Sequence, residues 1–457
     1  MTTHLPSSDR SGHRYRHPHA RRVHARRLHA RHLHSRHLHT RRTLALLVAT
    51  CLAAVTAVTA ATPATAAPLS AAPLSAAPLS ADGPGVGTPW VVTLGDSYIS
   101  GEAGRWAGAS NSDSDRADAL GPTAYFDNAG GTGETIARCH RASSAEAHIG
   151  GGVNGLNLAC SGATTATSTG TYFKPGIDFY EGSAGKGQAR MLQEAAATRN
   201  VRMVVVSIGG NDFQFASVVQ SCVVNFLTSP SWWKNYCHDD SSVTANFTAS
   251  NVATIRARVA GALRNVATAM SNAGYSTGQW TLVVQTYPSP VPNGSGIRYA
   301  ESGYTRQSTG GCGLWNRDAD WANSTALPTI NGALLGAASD VGLPNVRTLD
   351  MTHAFDGKRL CETGVGLYEE VGLPSWQSPG AVDRTEWVNQ IRTVSTIGDS
   401  PYYVQESLHP SYWGQLAMRN CLRQVWNAGN PRSGSCTVGN LGTAKLSPTG
   451  EPLMSLH

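Results

Sequence analysis

Short apolar runs that stop at glycine or at a polar turn constrain the fold of this chain more than any other feature. The strongest runs are Trp90–Leu94, Met203–Ile208 and Thr281–Thr286, and Val346–Asp350 and Gly155–Ala159 continue the pattern more weakly. Continuous apolar runs of this kind are typical of parallel strands that are covered on both faces. They predict a buried parallel β-sheet.

Helices are predicted between these strands. Two segments place apolar residues three or four positions apart, which is the spacing of one helix face. The two faces consist of Val252, Ile255, Val259, Leu263, Val266 and Met270, and of Leu327, Ile330, Leu334, Ala338 and Val341. A third helix is predicted over Pro410–Trp426, with the proline in its first turn. The alternation favours one α/β domain with a parallel sheet, and its size predicts long loop insertions.

The N-terminal segment has the composition of an export signal. Residues 1–42 hold ten of the 16 histidines within an Arg/His repeat that cannot form a packed core. The apolar run Leu44–Val58 follows Arg41 and Arg42 and leads to a series of small residues. This order predicts a secretory signal over residues 1–66, either of the general secretory (Sec) type or of the twin-arginine type.

Without the signal, the chain has a different charge. Eleven of the 36 basic and one of the 30 acidic residues lie within residues 1–66, so the remainder carries −4 instead of +6. This charge gives no argument for a nucleic-acid partner. The Ala/Pro-rich residues 67–89 predict a linker, which the folded domain follows over residues 90–437. Residues 438–457 are predicted to be a C-terminal tail.

Eight of the nine cysteines lie beyond the signal and predict disulfides. An even number in an exported chain favours pairing, and the absence of a Cys-x-x-Cys motif disfavours zinc or redox chemistry. Eight cysteines allow 105 pairings. Pairing of nearest neighbours is the simplest arrangement, which gives Cys139–Cys160, Cys222–Cys237, Cys312–Cys361 and Cys421–Cys436.

Gly95-Asp96-Ser97 directly follows the first predicted strand. Ligands of parallel α/β sheets bind outside the carboxyl ends of the strands. Ser97 would open the next helix there, where backbone N–H groups favour a developing negative charge. By itself, the segment is equally compatible with a nucleophile and with a serine that caps a helix.

Three further segments contain groups that a serine nucleophile needs. Gly209-Gly210-Asn211-Asp212 ends the second strand, and its Asn side chain could donate to an oxyanion or form an Asx turn. In Cys160-Ser161-Gly162, the glycine could bring a backbone N–H close to a substrate. His409 could be the base, with Glu406 to orient its ring, or a surface histidine near a helix start.

Together and in this order, the four segments resemble the four blocks of the SGNH hydrolases, also called the GDSL esterase/lipase family, and within it the secreted actinobacterial branch with several disulfides. The resemblance covers most of residues 90–436. It implies a three-layer α/β/α sandwich with flavodoxin-like strand order. It also implies Ser97 as nucleophile, His409 as base, and an oxyanion hole from the Ser97 and Gly162 N–H groups and the Asn211 side chain. No metal or organic cofactor is required.

One position departs from the family pattern. The family has Asp three residues before the His, whereas this chain has Glu406. Some secreted actinobacterial members use only a Ser–His dyad in which a backbone carbonyl orients the ring. Glu406 is therefore predicted either as the third member of a catalytic triad or as a bystander.

The predicted function is that of a secreted, monomeric serine esterase or lipase, which includes phospholipases. Its partner would be a small-molecule or lipid ester, and neither nucleic acid nor a stable membrane anchor is expected. One alternative is deacetylation of polysaccharides. Another is an inactive module that binds esters or glycans, because a fold does not fix a function.

The segment between Cys222 and Cys237 is rich in large apolar residues. It contains Phe226, Leu227, Trp232, Trp233 and Tyr236. Such a disulfide-tied loop could hold an acyl chain or a sugar ring. It could equally form a small satellite core under a long loop.

Overall fold

The computed structural model describes residues 84–392, 402–439, 446–447 and 450–457. The predicted signal and most of the predicted linker lie outside the described residues. The strands are β1 (Pro89–Gly95), β2 (Asn154–Asn157), β3 (Glu181–Gly182), β4 (Gly185–Lys186), β5 (Asn200–Ser207), β6 (Thr281–Gln285), β7 (Val346–Asp350), β8 (Gly434–Val438) and β9 (Met454–Leu456).

The α-helices differ widely in length. They are α1 (Ser97–Ser100), α2 (Gln188–Ala196), α3 (Phe215–Thr228), α4 (Ser241–Thr244), α5 (Ala249–Asn272), α6 (Thr305–Ser308), α7 (Asn316–Trp321), α8 (Leu327–Asp340), α9 (Ala381–Arg384), α10 (Tyr402–Gln405) and α11 (Tyr412–Trp426). A π-helical turn, Ala322–Ala326, joins α7 to α8.

Seven strands form one sheet in the order β2-β1-β5-β6-β7-β8-β9. All neighbouring pairs are parallel except β8 and β9, which are antiparallel. The five predicted strands fill the first five places, and their order is that of flavodoxin-like sheets. The predicted α/β class with a central, mainly parallel sheet is confirmed.

Helices cover the sheet on both faces, which gives the three layers. Successive side chains of a strand point to opposite faces. Val91 and Val205 accordingly belong to one core, and Val92 and Val204 belong to the other. The first core includes α11, and the second includes α2, α5 and α8. Loop residues such as Trp387 complete the first core, in line with the predicted insertions.

The predicted helices and disulfides are present, with one boundary to correct. Both predicted amphipathic faces lie on helices, α5 and α8, and all four disulfides join nearest neighbours along the chain. The last helix begins at Tyr412, not at Pro410. The Ser411 hydroxyl accepts a hydrogen bond from the Gly414 N–H and thereby caps the helix, so the proline lies before the cap.

Part of the predicted C-terminal tail pairs with the sheet. β9 lies antiparallel to β8, with Cys436 opposite Leu456. Just before β9, the buried Glu451 contacts the Arg423 guanidinium of α11, with 2.8 Å between Oε1 and Nη2. This ion pair joins the C-terminal segment to the helix layer.

We expect Glu451→Ala to lower the free energy of unfolding by about 1.5–3 kcal/mol, because the charged hydrogen bonds between the buried carboxylate and the partly exposed Arg423 are lost. Urea unfolding of the disulfide-intact protein would measure the change. Asp340→Ala is the matched control, since it removes the exposed partner of Arg256 and should leave the midpoint nearly unchanged. Equal midpoints for Glu451→Ala and the parent would contradict this prediction.

Candidate active site

The turn after β1 places Ser97 at the carboxyl edge of the sheet. Gly95 has a φ of +143°, and a Cβ there would lie 1.9 Å from the Ser207 carbonyl oxygen of the neighbouring strand, so only glycine fits. The Asp96 carboxylate then accepts a hydrogen bond from the Tyr98 N–H at 3.2 Å and caps α1. Ser97, the first residue of α1, is thereby fixed directly after the end of β1.

His409 contacts Ser97 directly. Its Nε2 lies 2.7 Å from the Ser97 Oγ, and its Nδ1 lies 2.8 Å from the Ser407 carbonyl oxygen. A carbonyl oxygen only accepts hydrogen bonds, so Nδ1 must carry the proton and Nε2 must be the acceptor. The Ser97 hydroxyl therefore donates to His409, which is the arrangement a general base requires.

The backbone around Leu408 brings the Ser407 carbonyl to the ring. Leu408 has a φ of +61°, the left-handed conformation that non-glycine residues rarely adopt. Its carbonyl accepts from the Tyr98 hydroxyl at 2.8 Å, and its N–H donates to the Asn389 carbonyl at 3.1 Å. These contacts hold the turn that orients the imidazole.

Glu406 is not placed as a triad carboxylate. Its side chain accepts from the Trp106 indole N–H at 2.8 Å and from the Tyr125 hydroxyl, whereas the Nδ1 of His409 is bound to Ser407. Burial, with a further contribution from Glu102, raises the pKa of Glu406 to about 7. The geometry brings Ser97 and His409 together but directs the Glu406 carboxyl group elsewhere.

A second buried acidic residue, Glu102, interacts electrostatically with His409. Glu102 and His140 are fully buried, and the Oε1 of Glu102 lies 2.7 Å from the Nδ1 of His140. Burial alone would raise the pKa of Glu102, but His140 holds it below its ordinary value. Gln405 donates to Glu102 at 3.0 Å, and the Tyr125 ring stacks on His140 at 4.4 Å. Sequence reasoning missed this pair, although Glu102 stands only five positions after Ser97.

Burial lowers the pKa of His409, and Glu102 and the Ser407 carbonyl partly oppose this change. The lowered pKa favours the neutral imidazole near pH 7. A neutral imidazole is the form that can accept the Ser97 proton.

The three predicted oxyanion donors follow three adjacent strands. Gly162, Ser97 and Asn211 come after β2, β1 and β5, respectively. The Asn211 side-chain amide donates to the Ala163 carbonyl at 2.8 Å, which ties two of these loops together. In the described part of the chain, neither the Ser97 N–H nor the Gly162 N–H donates to a backbone carbonyl. The second Asn211 amide hydrogen is a further donor.

Two cavities adjoin this site, and their volumes include space that is open to solvent. The first, of about 380 Å³, is lined by Ser97 and Asn211. The second, of about 660 Å³, is lined by Phe215, Val218, Val219, Cys222, Phe247, Pro290, Val291, Leu314, Asp318, Trp321, Ala322, Ala326, Leu327, Ile330 and Leu408. The two share Phe215, Pro290, Leu327 and Ile330. An apolar space therefore continues from Ser97 between α3 and α8.

The aromatic residues between Cys222 and Cys237 have two environments. Phe226 is buried, with its ring 4.6 Å from that of Trp315, as expected of a satellite core. Trp232 and Trp233 are instead 82% and 74% exposed. Neither tryptophan lines the two cavities beside Ser97.

The described residues contain no group of three His, Cys, Asp or Glu side chains suited to hold a metal ion. Within the same ranges, every helix is too short or too polar to cross a membrane.

The fold and the site define an α/β protein with a serine–histidine pair at the carboxyl edge of a parallel sheet. The sequence matches no family model and none of the curated proteins with which it was compared. Three solved structures are similar in part. An extracellular lipase from Streptomyces rimosus is 20% identical over 75% of this chain and 100% of that chain, with a TM-score of 0.37.

The second is a phospholipase A1 from Streptomyces albidoflavus, 20% identical over 74% of this chain and 99% of that chain, with a TM-score of 0.36. The third is a carbohydrate acetylesterase from Sinorhizobium meliloti, 12% identical over 57% of this chain and 84% of that chain, with a TM-score of 0.25. At these values, the activity of the present protein must be judged from its own residues.

We expect Glu406→Gln to keep the turnover of a soluble ester within about fivefold of the parent, because its carboxyl group does not bond to His409. Loss of a true triad carboxylate costs about 10⁴ in kcat. Steady-state measurement of kcat would distinguish the two cases, with Ser97→Ala measured alongside to give the rate that remains without the serine hydroxyl. A loss of kcat of about 10³-fold or more in a Glu406→Gln variant that folds normally by circular dichroism would show instead that Glu406 is the third member of a triad.

Proposed function

We propose that this protein is a serine ester hydrolase with Ser97 as nucleophile and His409 as general base. The observation that carries the proposal is the 2.7 Å contact between Ser97 Oγ and His409 Nε2, with Nδ1 held by the Ser407 carbonyl at 2.8 Å. A nucleophile in reach of a base that is itself oriented by a third group is the signature of covalent catalysis. Glu406 has no direct part in this dyad.

The reaction follows from these contacts. Ser97 Oγ attacks the ester carbonyl carbon while His409 Nε2 accepts the hydroxyl proton. The N–H groups of Ser97 and Gly162 and the free amide hydrogen of Asn211 stabilise the oxyanion. His409 then protonates the departing alcohol. The acyl group stays bound to Ser97. Water, activated by His409, attacks the acyl-enzyme and releases the acid.

Esters with an apolar acyl chain are the proposed substrates. The cavity that continues from the Ser97 site has a wall of mostly apolar side chains around about 660 Å³ of space, part of which is open to solvent. Among its lining residues, Asp318 is the charged one, and its carboxylate already accepts from the His238 and Cys237 N–H groups. The acetyl group of a polysaccharide ester would leave most of this apolar space unfilled, whereas a long acyl chain would fill it, so a lipid ester is favoured over an acetylated polysaccharide.

Export to an oxidising compartment is part of the proposal. The four disulfides support it, because such bonds persist in secreted proteins and are rare in the cytosol. The route would be the N-terminal signal predicted over residues 1–66.

We expect kcat/KM for p-nitrophenyl esters to rise by about tenfold or more from acetyl to octanoyl, because each buried methylene adds binding energy. Val219→Trp, which would fill the apolar cavity, should remove most of this gain and leave acetyl ester hydrolysis within about twofold. Ser97→Ala should be at least about 10³-fold slower on every ester. A preference for acetyl would favour the polysaccharide esterase, and equal rates for Ser97→Ala and the parent would refute the nucleophile.

We expect the acid limb of kcat/KM to have a midpoint below the ordinary histidine value of about 6.5. Protonated His409 cannot accept the serine proton, so activity falls as the pH decreases through its lowered pKa. Glu102→Gln should move the midpoint lower still, because the Glu102 charge raises the pKa of His409. Initial rates between pH 4 and 8 on folded protein would measure both midpoints.

Glu406→Gln is the control for this pH profile. The Glu406 pKa lies at about 7, so a limb governed by that carboxyl group would vanish in the variant. We expect the acid limb of kcat/KM to keep its midpoint in Glu406→Gln. A midpoint at or above 7 that disappears in Glu406→Gln would contradict the role of His409.

A further inference from the structure

Trp232 and Trp233 are the most exposed large apolar side chains of the described residues, at 82% and 74%. Their ring centroids are 6.3 Å apart, so they form one aromatic surface. A tryptophan has a large apolar ring and one N–H donor, which suits it to the boundary between water and lipid. Exposure of two adjacent tryptophans to water requires a reason, since either ring would contribute more to stability in a core.

The two tryptophans belong to the loop Ser229–Tyr236, which is held by hydrogen bonds between its own residues. The Trp233 N–H donates to the Pro230 carbonyl at 2.9 Å, and the Asn235 N–H donates to the Ser229 hydroxyl at 3.1 Å. The Cys222–Cys237 disulfide fixes the return of the chain to α3. The rings are therefore held in solvent by a constrained turn.

This loop is connected to the wall of the apolar cavity beside Ser97 by α3 and by a disulfide. Helix α3 leads into the loop and supplies the wall residues Val218 and Val219. Cys222 lines the same cavity and is bonded to Cys237, directly after the loop. The backbone N–H of Cys237 also donates to Asp318, another lining residue, at 3.3 Å. The loop is therefore anchored, through Cys237, to two residues of the cavity wall.

The charge of the loop indicates what kind of surface it fits. Lys234 is the one charged residue of Ser229–Tyr236, and its ammonium group forms an ion pair with Glu301. The loop thus lacks the cluster of free basic residues by which proteins bind anionic lipid. Uncharged aromatic residues instead favour the headgroup region of a neutral or zwitterionic lipid surface.

We propose that Ser229–Tyr236 is a lipid-docking loop, which inserts Trp232 and Trp233 into the surface of aggregated neutral or zwitterionic lipid and which the Cys222–Cys237 disulfide joins to the wall of the apolar cavity. The inference rests on the proposed ester hydrolase function, whose substrate class it extends to lipid in an aggregate. Docking of this kind is reversible, since two side chains enter the interface and no helix crosses it.

The test is flotation of the full chain with phosphatidylcholine vesicles, made in the Ser97→Ala background so that no lipid is hydrolysed. We expect Trp232→Ala/Trp233→Ala to weaken partitioning by about 30-fold, which corresponds to about 2 kcal/mol at 1.4 kcal/mol per tenfold change. Trp232→Phe/Trp233→Phe should retain most of the binding. Phe126→Ala, which removes an exposed aromatic ring elsewhere, should leave it unchanged.

Ionic strength distinguishes apolar docking from electrostatic attraction. Binding to phosphatidylcholine should persist between about 0.05 and 0.5 M salt, over which surface charge interactions are strongly screened. Binding that requires anionic lipid and disappears at high salt would overturn the proposal. So would equal partitioning of the double Ala variant and its parent.

A catalytic readout separates this proposal from the function on which it rests. With Ser97 intact, the double Ala variant should hydrolyse a monomeric acetyl ester within about twofold of the parent, which shows that it is folded. Its rate on dispersed long-chain lipid should fall by about tenfold or more. Turnover that survives Ser97→Ala would refute the proposed mechanism and leave the vesicle result standing. If the double variant instead changes only self-association, measured by sedimentation velocity, the tryptophans cover a second copy and the proposal fails.

Discussion

The hydrogen bond between the Ser407 carbonyl and the Nδ1 of His409 is the contact on which the candidate site depends. It fixes the ring tautomer and therefore makes Nε2 the acceptor for the Ser97 proton. A carbonyl can orient an imidazole, but it lacks the full charge that would stabilise an imidazolium. In the proposed mechanism that stabilisation comes from Glu102, whose charge raises the pKa of His409 that burial lowers. Orientation and charge compensation are thus divided between two groups, whereas one carboxylate performs both in a triad.

The buried acids around this base hold different charges because their partners differ. Glu102 has a protonatable partner in His140, which favours its ionised form. Glu406 has the Trp106 indole and the Tyr125 hydroxyl, which donate hydrogen bonds without a compensating charge. Burial, with a further contribution from the Glu102 charge, therefore raises the pKa of Glu406 to about 7, although both hydrogen bonds act in the opposite direction. One negative charge near the base is therefore retained, while a second is disfavoured by burial.

Features with a local signal could be predicted from the sequence, and features that depend on distant partners could not. The β1 and β5 runs, the α5 face and the Ser97 turn are each contained in a few consecutive residues, and the structure has them where the pattern indicates. The direction of the Glu406 carboxyl group depends on Trp106 and Tyr125, which are 300 and 281 positions away. The β8–β9 pairing had no apolar run to reveal it, because β9 spans only Met454–Leu456 and is partly buried.

Leu408 connects the base to the surface that would receive substrate. Its left-handed backbone turns the Ser407 carbonyl toward His409, while its side chain lines the apolar cavity. Such a conformation costs about 1–2 kcal/mol for a residue with a Cβ. Hydrogen bonds from Tyr98 and to Asn389 offset that cost, and an acyl chain in the cavity would pack against the same residue. A substrate with a long acyl chain would therefore restrain the turn that orients His409. Leu408 thus takes part both in binding of the acyl chain and in orientation of the proposed base.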